Sequence, residues 1–241
     1  MEVDIFIPCF IDQIYPDVGF HMVKVLEKLG CKVNYNPNQT CCGQPAYNAG
    51  YFKDAIEVAE KFLDDFNSPG RYIVSPSASC VGMVCNGYED FFRKSLRSAQ
   101  YNEVKGKMHE FSAFLVHILG VDKVPGAKLN GRATYHDSCA ALRECNIKEE
   151  PRILLRNVQG LELVEMEETD QCCGFGGTFA VKFEAISVGM TELKLERAQA
   201  VQPDFLISTD SSCLLQYQSV MDKQGIGIKT MHLAEVLASG W

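Results

Sequence analysis

A chain of 241 residues, 46% hydrophobic and 22% charged, has the composition of a folded globular protein rather than a disordered one. Its length suits either one large domain or two halves of about 120 residues each. The formal net charge is −8 and the 23 lysines and arginines are scattered, which excludes a basic surface for nucleic acid. The apolar runs at Ala113 to Val116 and from Val201 onward are interrupted well short of the ~18 residues needed to cross a bilayer, so no membrane span is expected.

The chain begins Met1-Glu2-Val3-Asp4-Ile5-Phe6-Ile7, an acidic, strand-like run without the basic start or cleavable end of a signal peptide. A cytoplasmic location is the expectation. The run Val3 to Pro8 leads into Cys9. Val18, Met22, Val25, Leu26 and Leu29 then recur at helical spacing, with Gly30 as the stop. Leu29-Gly30-Cys31-Lys32-Val33 precedes Cys41-Cys42-Gly43. Phe52, Ile56, Ala59, Leu63 and Phe66 predict the next helix, and Tyr72-Ile73-Val74-Ser75 predicts a strand shortly before Cys80. In the stretch Asp122 to Gly131, the residues Pro125, Gly126 and Gly131 act as breakers, and we read a short linker there. Beyond it lie a strand over Arg132 to His136 before Cys139, the run Gly160-Leu161-Glu162-Leu163-Val164, and then Cys172-Cys173-Gly174. Phe179, Phe183, Ile186, Met190 and Leu193 predict a helix, and Phe205-Leu206-Ile207-Ser208 predicts a strand before Cys213.

This order is one pattern read twice. The Cys-Cys-Gly motif recurs after 131 positions, Cys9 is answered by Cys139 after 130, and Cys80 by Cys213 after 133. Ser77-Ala78-Ser79-Cys80 is matched by Asp210-Ser211-Ser212-Cys213. The expected domains are therefore residues 1–124 and 125–241, two cysteine-rich repeats. Strands alternating with helices predict a parallel sheet covered on both faces, so the fold class is α/β, with two tandem, pseudo-symmetric Rossmann-like units. In open sheets of this kind ligands gather beyond the carboxyl ends of the strands, and helix N-termini there favour thiolates. Each copy is thus expected to bring its four cysteines to one sheet edge.

Eleven cysteines in a reducing compartment point to metal ligands or redox groups rather than disulfides. Four soft thiolates suit zinc or an iron–sulfur cluster. Structural zinc favours short knuckles of closely spaced ligands, whereas these cysteines are dispersed except for an adjacent pair. Neighbouring thiolates are awkward on one tetrahedral ion and reach different irons of a cluster more readily. The candidate ligands are Cys9, Cys41, Cys42 and Cys80 in the first copy, and Cys139, Cys172, Cys173 and Cys213 in the second.

On these motifs the sequence resembles the cysteine-rich CCG-domain family over the whole chain, and most closely its LutA/YkgE group of lactate-utilization proteins. The strings that carry the resemblance are Cys-Cys-Gly-Gln-Pro-Ala at 41–46, Tyr-His-Asp-Ser-Cys at 135–139, Cys-Cys-Gly-Phe-Gly-Gly-Thr-Phe at 172–179, and Met-His-Leu-Ala-Glu-Val-Leu at 231–237. The resemblance implies up to two iron–sulfur clusters of 4Fe-4S type and electron transfer. It also implies a place in a complex that oxidises L-lactate, or a similar small 2-hydroxy acid, to pyruvate without soluble nicotinamide. The implied partners are a LutB-like ferredoxin-type iron–sulfur protein and a LutC-like protein. The family extends to the cysteine-rich subunit of heterodisulfide reductase and the iron–sulfur subunit of glycolate oxidase. The former ends its motif Cys-x-x-Cys, which supplies a fifth ligand for a noncubane cluster. Here Met83 and Gln216 stand at that position, with Cys85 as a substitute in the first copy only, so a conventional four-iron cluster and a site of altered nuclearity stay open beside the noncubane type.

Two other functions fit the same residues: a scaffold carrying zinc or no metal, and a thiol–disulfide protein like heterodisulfide reductase. Cys31 and Cys145 read as small packing residues. Gly174-Phe175-Gly176-Gly177 follows a cysteine pair rather than a strand, which argues against a dinucleotide loop; its glycines instead let backbone amides approach sulfur. His136 reads as a satisfied structural histidine at a strand end, and His232 as the cap of the last helix. No Ser-His-Asp arrangement supports hydrolysis.

Overall fold

The structure is a computed structural model and describes residues 1–241. Strands β1 (Glu2–Ile5), β2 (Lys32–Tyr35), β3 (Tyr72–Ser75) and β4 (Met108–Glu110) form a parallel sheet in the order β2-β1-β3-β4. Strands β5 (Lys128–Tyr135), β6 (Gln159–Leu163), β7 (Phe205–Ser208) and β8 (Lys229–His232) form a second, ordered β6-β5-β7-β8. The two orders are the same, so the sequence repeat is a structural repeat of parallel α/β units. Parallel pairing needs helical crossovers that cover the faces, and Val3, Ile5, Val74, Ala133, Leu206 and Ile207 on the central strands are accordingly buried.

The helix Pro16–Lys28 carries Pro16 in its first turn, where a missing amide proton costs nothing, and buries Val18, Met22, Val25 and Leu26. The helix Phe52–Asp65 buries Ala55, Ala59, Phe62 and Leu63 but leaves Phe52 exposed. Two expectations need correction. Gly131 does not break the chain before the strand. It lies inside β5 at φ +143°, where the register with β6 shifts and an added Cβ would meet Phe205 and Asp204. The single helix expected after the second cysteine pair is two, Thr178–Lys182 and Glu184–Ala200, separated at Phe183. Its apolar stripe also faces outward: Phe183, Ile186 and Leu193 are exposed, while Ser187, Thr191, Lys194, Leu195 and Ala198 are buried.

The two units exchange their last helical turns. After β8 the helix Leu233–Leu237 packs on Pro16–Lys28 of the first half, and after β4 the turn Phe111–Ala113 packs on Glu149–Arg156 of the second. One core therefore runs through both halves and joins Val25 and Leu26 to Leu233 and Leu237, and Phe111 and Leu115 to Leu154 and Leu155. His232 caps the last helix as expected: its Nδ1 accepts the Ala234 amide at 3.0 Å, and Glu235 accepts the His232 amide at 2.6 Å. Its Nε2 donates across the halves to the Pro76 carbonyl at 2.9 Å. Ser77 and Asp210, the equivalent residues that open the helices bearing Cys80 and Cys213, cap neither helix with their side chains. Instead the buried Asp210 carboxylate accepts the Ser79 and Ser138 hydroxyls, each at 2.9 Å. This seam is polar at its centre and apolar around it.

Glu110, at the end of β4, is buried close to Asp210. One carboxylate oxygen accepts the Ser112 and Ala113 amides at 2.8 and 3.2 Å, and the other has no partner. Burial, with the Asp210 charge acting in the same sense, raises its pKa to about 7. A carboxyl whose folded pKa lies above its unfolded value stabilises the fold at low pH, and that contribution is lost as pH rises through the folded pKa. Glu110→Gln is therefore expected to remove a fall in stability between about pH 5 and 7, worth roughly 3 kcal/mol in the wild type. Urea denaturation of both proteins across that range measures it; parallel slopes would refute the assignment.

Candidate metal centres

Parallel strand order decides where the cysteines fall. Cys9 opens the helix that follows β1, and Cys80 lies in the first turn of the helix that follows β3. Cys139 directly follows the β5 end loop, and Cys213 lies in the first turn of the helix after β7. These are the carboxyl ends of the two central strands of each sheet. The loops after β2 and β6 bring in the adjacent pairs. In the first half Cys9 Sγ is 3.5 Å from Cys41 Sγ, and Cys42 lies close enough to Cys41 and Cys80 for those thiols to shift its own. In the second half Cys173 Sγ donates to Cys213 Sγ at 3.1 Å, and Cys172 lies close enough to Cys139 and Cys173 for those thiols to shift its own. All eleven cysteines are free thiols. Each set runs from an exposed thiol (Cys9, Cys139) through a half-buried one (Cys41, Cys172) to a buried pair (Cys42 and Cys80, Cys173 and Cys213).

The glycine of each Cys-Cys-Gly motif is in the left-handed region, Gly43 at φ +81° and Gly174 at φ +91°. The turn directs backbone amides at sulfur: Gly43 to Cys41 at 3.4 Å, Gly174 to Cys172 and Phe175 to Cys173 at 3.5 Å. It also presses the loop against a long helix further on, Phe52–Asp65 in the first half and Glu184–Ala200 in the second. A Cβ on Gly43 would lie 3.3 Å from the Ala55 carbonyl oxygen, and one on Gly174 would collide with that of Ser187. Ser187 Oγ and Thr191 Oγ1 donate to the carbonyls of Gly174 and Cys173, each at 2.8 Å. Tyr88 Oη does the same for Cys42 in the first half at 3.0 Å.

Gln216, where a fifth cysteine would stand, donates to the Ser187 and Thr191 hydroxyls at 3.0 and 2.9 Å and so braces this loop. Met83 is buried in the first core. Cys85 makes no hydrogen bond to the thiols of the first set, and burial pushes its own thiol up to about 11, opposed by the Lys105 ammonium. Cys31 is buried in the shared core, as expected of a packing residue. Cys145 Sγ donates to the Ala78 carbonyl at 3.4 Å.

Within each set one thiol is held as the acceptor. The neighbouring thiols of Cys42 and then Cys9 draw Cys41 well below the ordinary thiol range, and those of Cys139 and then Cys173 do the same to Cys172. The donors Cys9, Cys42, Cys139 and Cys173 are driven upward by the same contacts and by burial. None of these sulfurs accepts a hydrogen bond from a lysine or arginine; their donors are thiols and backbone amides. Further deprotonation would thus bring like charges together without a basic side chain to balance them. Four converging sulfurs with amides aimed at them fit a thiophilic metal centre, whose cation supplies the missing charge.

The second set has features that sequence reading missed. Asp137 and Arg152 form a buried bidentate ion pair at 2.8 and 2.9 Å, and Arg152 also reaches Glu165 at 2.7 Å and the Lys148 carbonyl at 2.6 Å. Burial pushes the Asp137 carboxyl up, but the Arg152 bonds outweigh it and hold the carboxyl low. The pair fixes the loop between β5 and Cys139. His136 is not the satisfied structural histidine expected. Its Nδ1 lies 3.1 Å from Tyr217 Oη, its Nε2 has no partner, and a ring nitrogen is within 4.8 Å of the Cys173 and Cys213 sulfurs.

Residues 3–85 and 133–218 each match the cysteine-rich CCG domain. The chain belongs to this family, as a tandem pair of its domains. Across its full length it is 43% identical to lactate utilization protein A of Geobacillus sp. strain WCH70, covering 99% of this chain and 100% of that protein. It is 42% identical to lactate utilization protein A of Halalkalibacterium halodurans, covering 98% and 96%, and 41% identical to the uncharacterized protein YkgE of Escherichia coli K12, covering 99% and 100%. The resemblance read from the motifs therefore holds. A crystal structure of a hypothetical protein from Helicobacter pylori shares the fold with a TM-score of 0.63 at 12% identity; the likeness covers 99% of this chain, which spans about half of that one, 48%. No helix is long and apolar enough to cross a membrane.

Gly174→Ala combines left-handed strain with a backbone collision and is expected to lower stability by about 2 kcal/mol or more. Gly43→Ala, with the wider 3.3 Å approach, should lose less. Urea denaturation of the two variants gives the order, and an equal or reversed loss would contradict this account of the motif.

Proposed function

We propose that the chain is the electron-transferring subunit of a lactate-oxidising complex and holds an iron–sulfur cluster in each half. The ligands are Cys9, Cys41, Cys42 and Cys80, and Cys139, Cys172, Cys173 and Cys213. The observation that carries the reading is the pair of equivalent four-thiol sets, in a chain 43% identical from end to end to a lactate utilization protein A. Iron is favoured over zinc by the adjacent cysteines, whose sulfurs are easier to place on different metals of one cluster.

When bound, such a cluster supplies reversible one-electron chemistry. The residues of the chain set its conditions. Buried Cys42, Cys80, Cys173 and Cys213 keep water from its inner side, and the amides of Gly43, Gly174 and Phe175 donate to the ligand sulfurs, which favours the reduced state. Cys9 and Cys139 face outward, on the side open to a partner. Beside the second set the helices 178–182 and 184–200 expose Val181, Phe183 and Ile186 to 84%, 53% and 58%, next to an open groove of about 420 Å³. We assign this apolar face to contact with the partner subunits, a LutB-like ferredoxin-type protein and a LutC-like protein, in the cytoplasm. The hydroxy acid is oxidised in that assembly.

Anaerobically purified protein is expected to contain iron and acid-labile sulfide and to absorb broadly in the visible. Cys42→Ser and Cys173→Ser should each remove about half of the iron. Colourless protein with stoichiometric zinc after anaerobic reconstitution would instead establish the scaffold reading. In the co-expressed complex, Val181→Glu with Ile186→Glu should weaken partner binding on the order of tenfold at unchanged iron content. Unchanged binding, read together with lactate-dependent reduction of an artificial acceptor, would remove that face from the interface.

A further inference from the structure

The two sets match in their cysteines and differ one step behind them. At the end of the first central strand the first half places Phe6, and the second half, 130 positions on, places His136. Phe6 packs edge-on against Phe62 and Phe66, with ring centroids 4.9 and 5.6 Å apart, and closes the first set with an apolar wall. His136 is fully buried and held on every side but one. Its amide donates to the Ile207 carbonyl at 2.8 Å, its carbonyl accepts the Ser208 hydroxyl at 3.1 Å, and its ring meets Tyr217 edge to face at 5.2 Å. Tyr217 Oη engages Nδ1 at 3.1 Å, which leaves Nε2 as a buried nitrogen without a hydrogen-bond partner. Near it stand the thiols: His136 offers a ring nitrogen within 4.8 Å of Cys173 and Cys213 Sγ, themselves 3.1 Å apart.

We propose that Nε2 of His136 is a ligand to the metal centre of the second set, which thereby has mixed sulfur and nitrogen coordination while the first has thiolates alone. The hydrogen bond at the other nitrogen fits this role. A ligating histidine characteristically donates its second N–H to an oxygen, which fixes tautomer and ring orientation, and Tyr217 Oη is placed to accept it. Tyr217 is thus a positioning residue. The nitrogen also stands in for the missing fifth cysteine, since Gln216 is turned away to the Ser187 and Thr191 hydroxyls. A neutral imidazole brings no charge where a thiolate would bring one, and exchanging cysteine for histidine on an iron centre raises its potential.

This inference rests on the proposed function only in requiring a metal at the second set. The test uses full-length protein labelled with ¹⁵N at histidine, reconstituted anaerobically with iron and sulfide and reduced. Pulsed paramagnetic resonance is expected to show the hyperfine coupling of a directly bound imidazole nitrogen. The coupling should persist in Cys42→Ser, whose remaining centre is the second, and vanish in His136→Phe, which copies the first half. His136→Cys should keep the metal and lower the midpoint potential of the second centre. Iron at the second set without bound nitrogen in the wild type overturns the inference and leaves the proposed function standing. No metal there at all overturns both. If His136→Phe does not fold, the Cys42→Ser spectrum decides alone.

Discussion

Adjacent side chains point to different sides of an extended chain, so two cysteines in a row can serve one site only where the backbone turns out of the extended conformation. Gly43 and Gly174 extend that turn at φ +81° and +91°, and in doing so let the chain lie against the helices Phe52–Asp65 and Glu184–Ala200. The consequences spread outward. The turn aims amides at sulfur, exposes the carbonyls of Cys42 and Cys173 to the hydroxyls of Tyr88 and Thr191, and brings each pair up to the thiols carried by the central strands. Parallel strand order does the rest, because the helices bearing Cys9 and Cys80, and that bearing Cys213, must start at the carboxyl edge of their own sheet.

Within this shared geometry the two halves divide their labour through residues that do not repeat. The loop after β1 is held by Gln39, which accepts the Ile7 amide at 2.8 Å, whereas the loop after β5 is held by the buried Asp137–Arg152 pair. An ion pair inside the protein is not a cheap source of stability, but its fork geometry fixes a loop in orientation as well as position. The stiffer anchor belongs to the half whose site also contains an imidazole.

The strands and the edge on which the cysteines gather were legible in the sequence, because short β-rich runs ended just before Cys9, Cys80, Cys139 and Cys213. What escaped was whatever depended on a partner distant in the chain. In Glu184–Ala200 the apolar residues Phe183, Ile186 and Leu193 implied the wrong inner face. Ser187 and Thr191 turn inward because the loop carbonyls need donors, and Lys194 goes with them to place its ammonium on the Glu168 carbonyl. Unmet backbone groups outweigh a hydrophobic stripe that can remain in solvent. Asp210 was visible only as the counterpart of Ser77; its bonds to Ser79 and Ser138 cross the halves and leave no periodic signal. His136 looked ordinary because a bare Nε2 is recognised only once its neighbours are known.

The exchange of terminal helices says something about ancestry. A solitary copy of this unit would leave part of the apolar face of its first long helix bare, the part that Leu233 and Leu237 of the opposite copy cover in the present chain. Two identical solitary units would satisfy each other by trading those ends about a two-fold axis. In that homodimer every position is forced to be the same in both partners. Joining the copies in one chain releases that constraint, and a phenylalanine and a histidine can then occupy what was once a single residue.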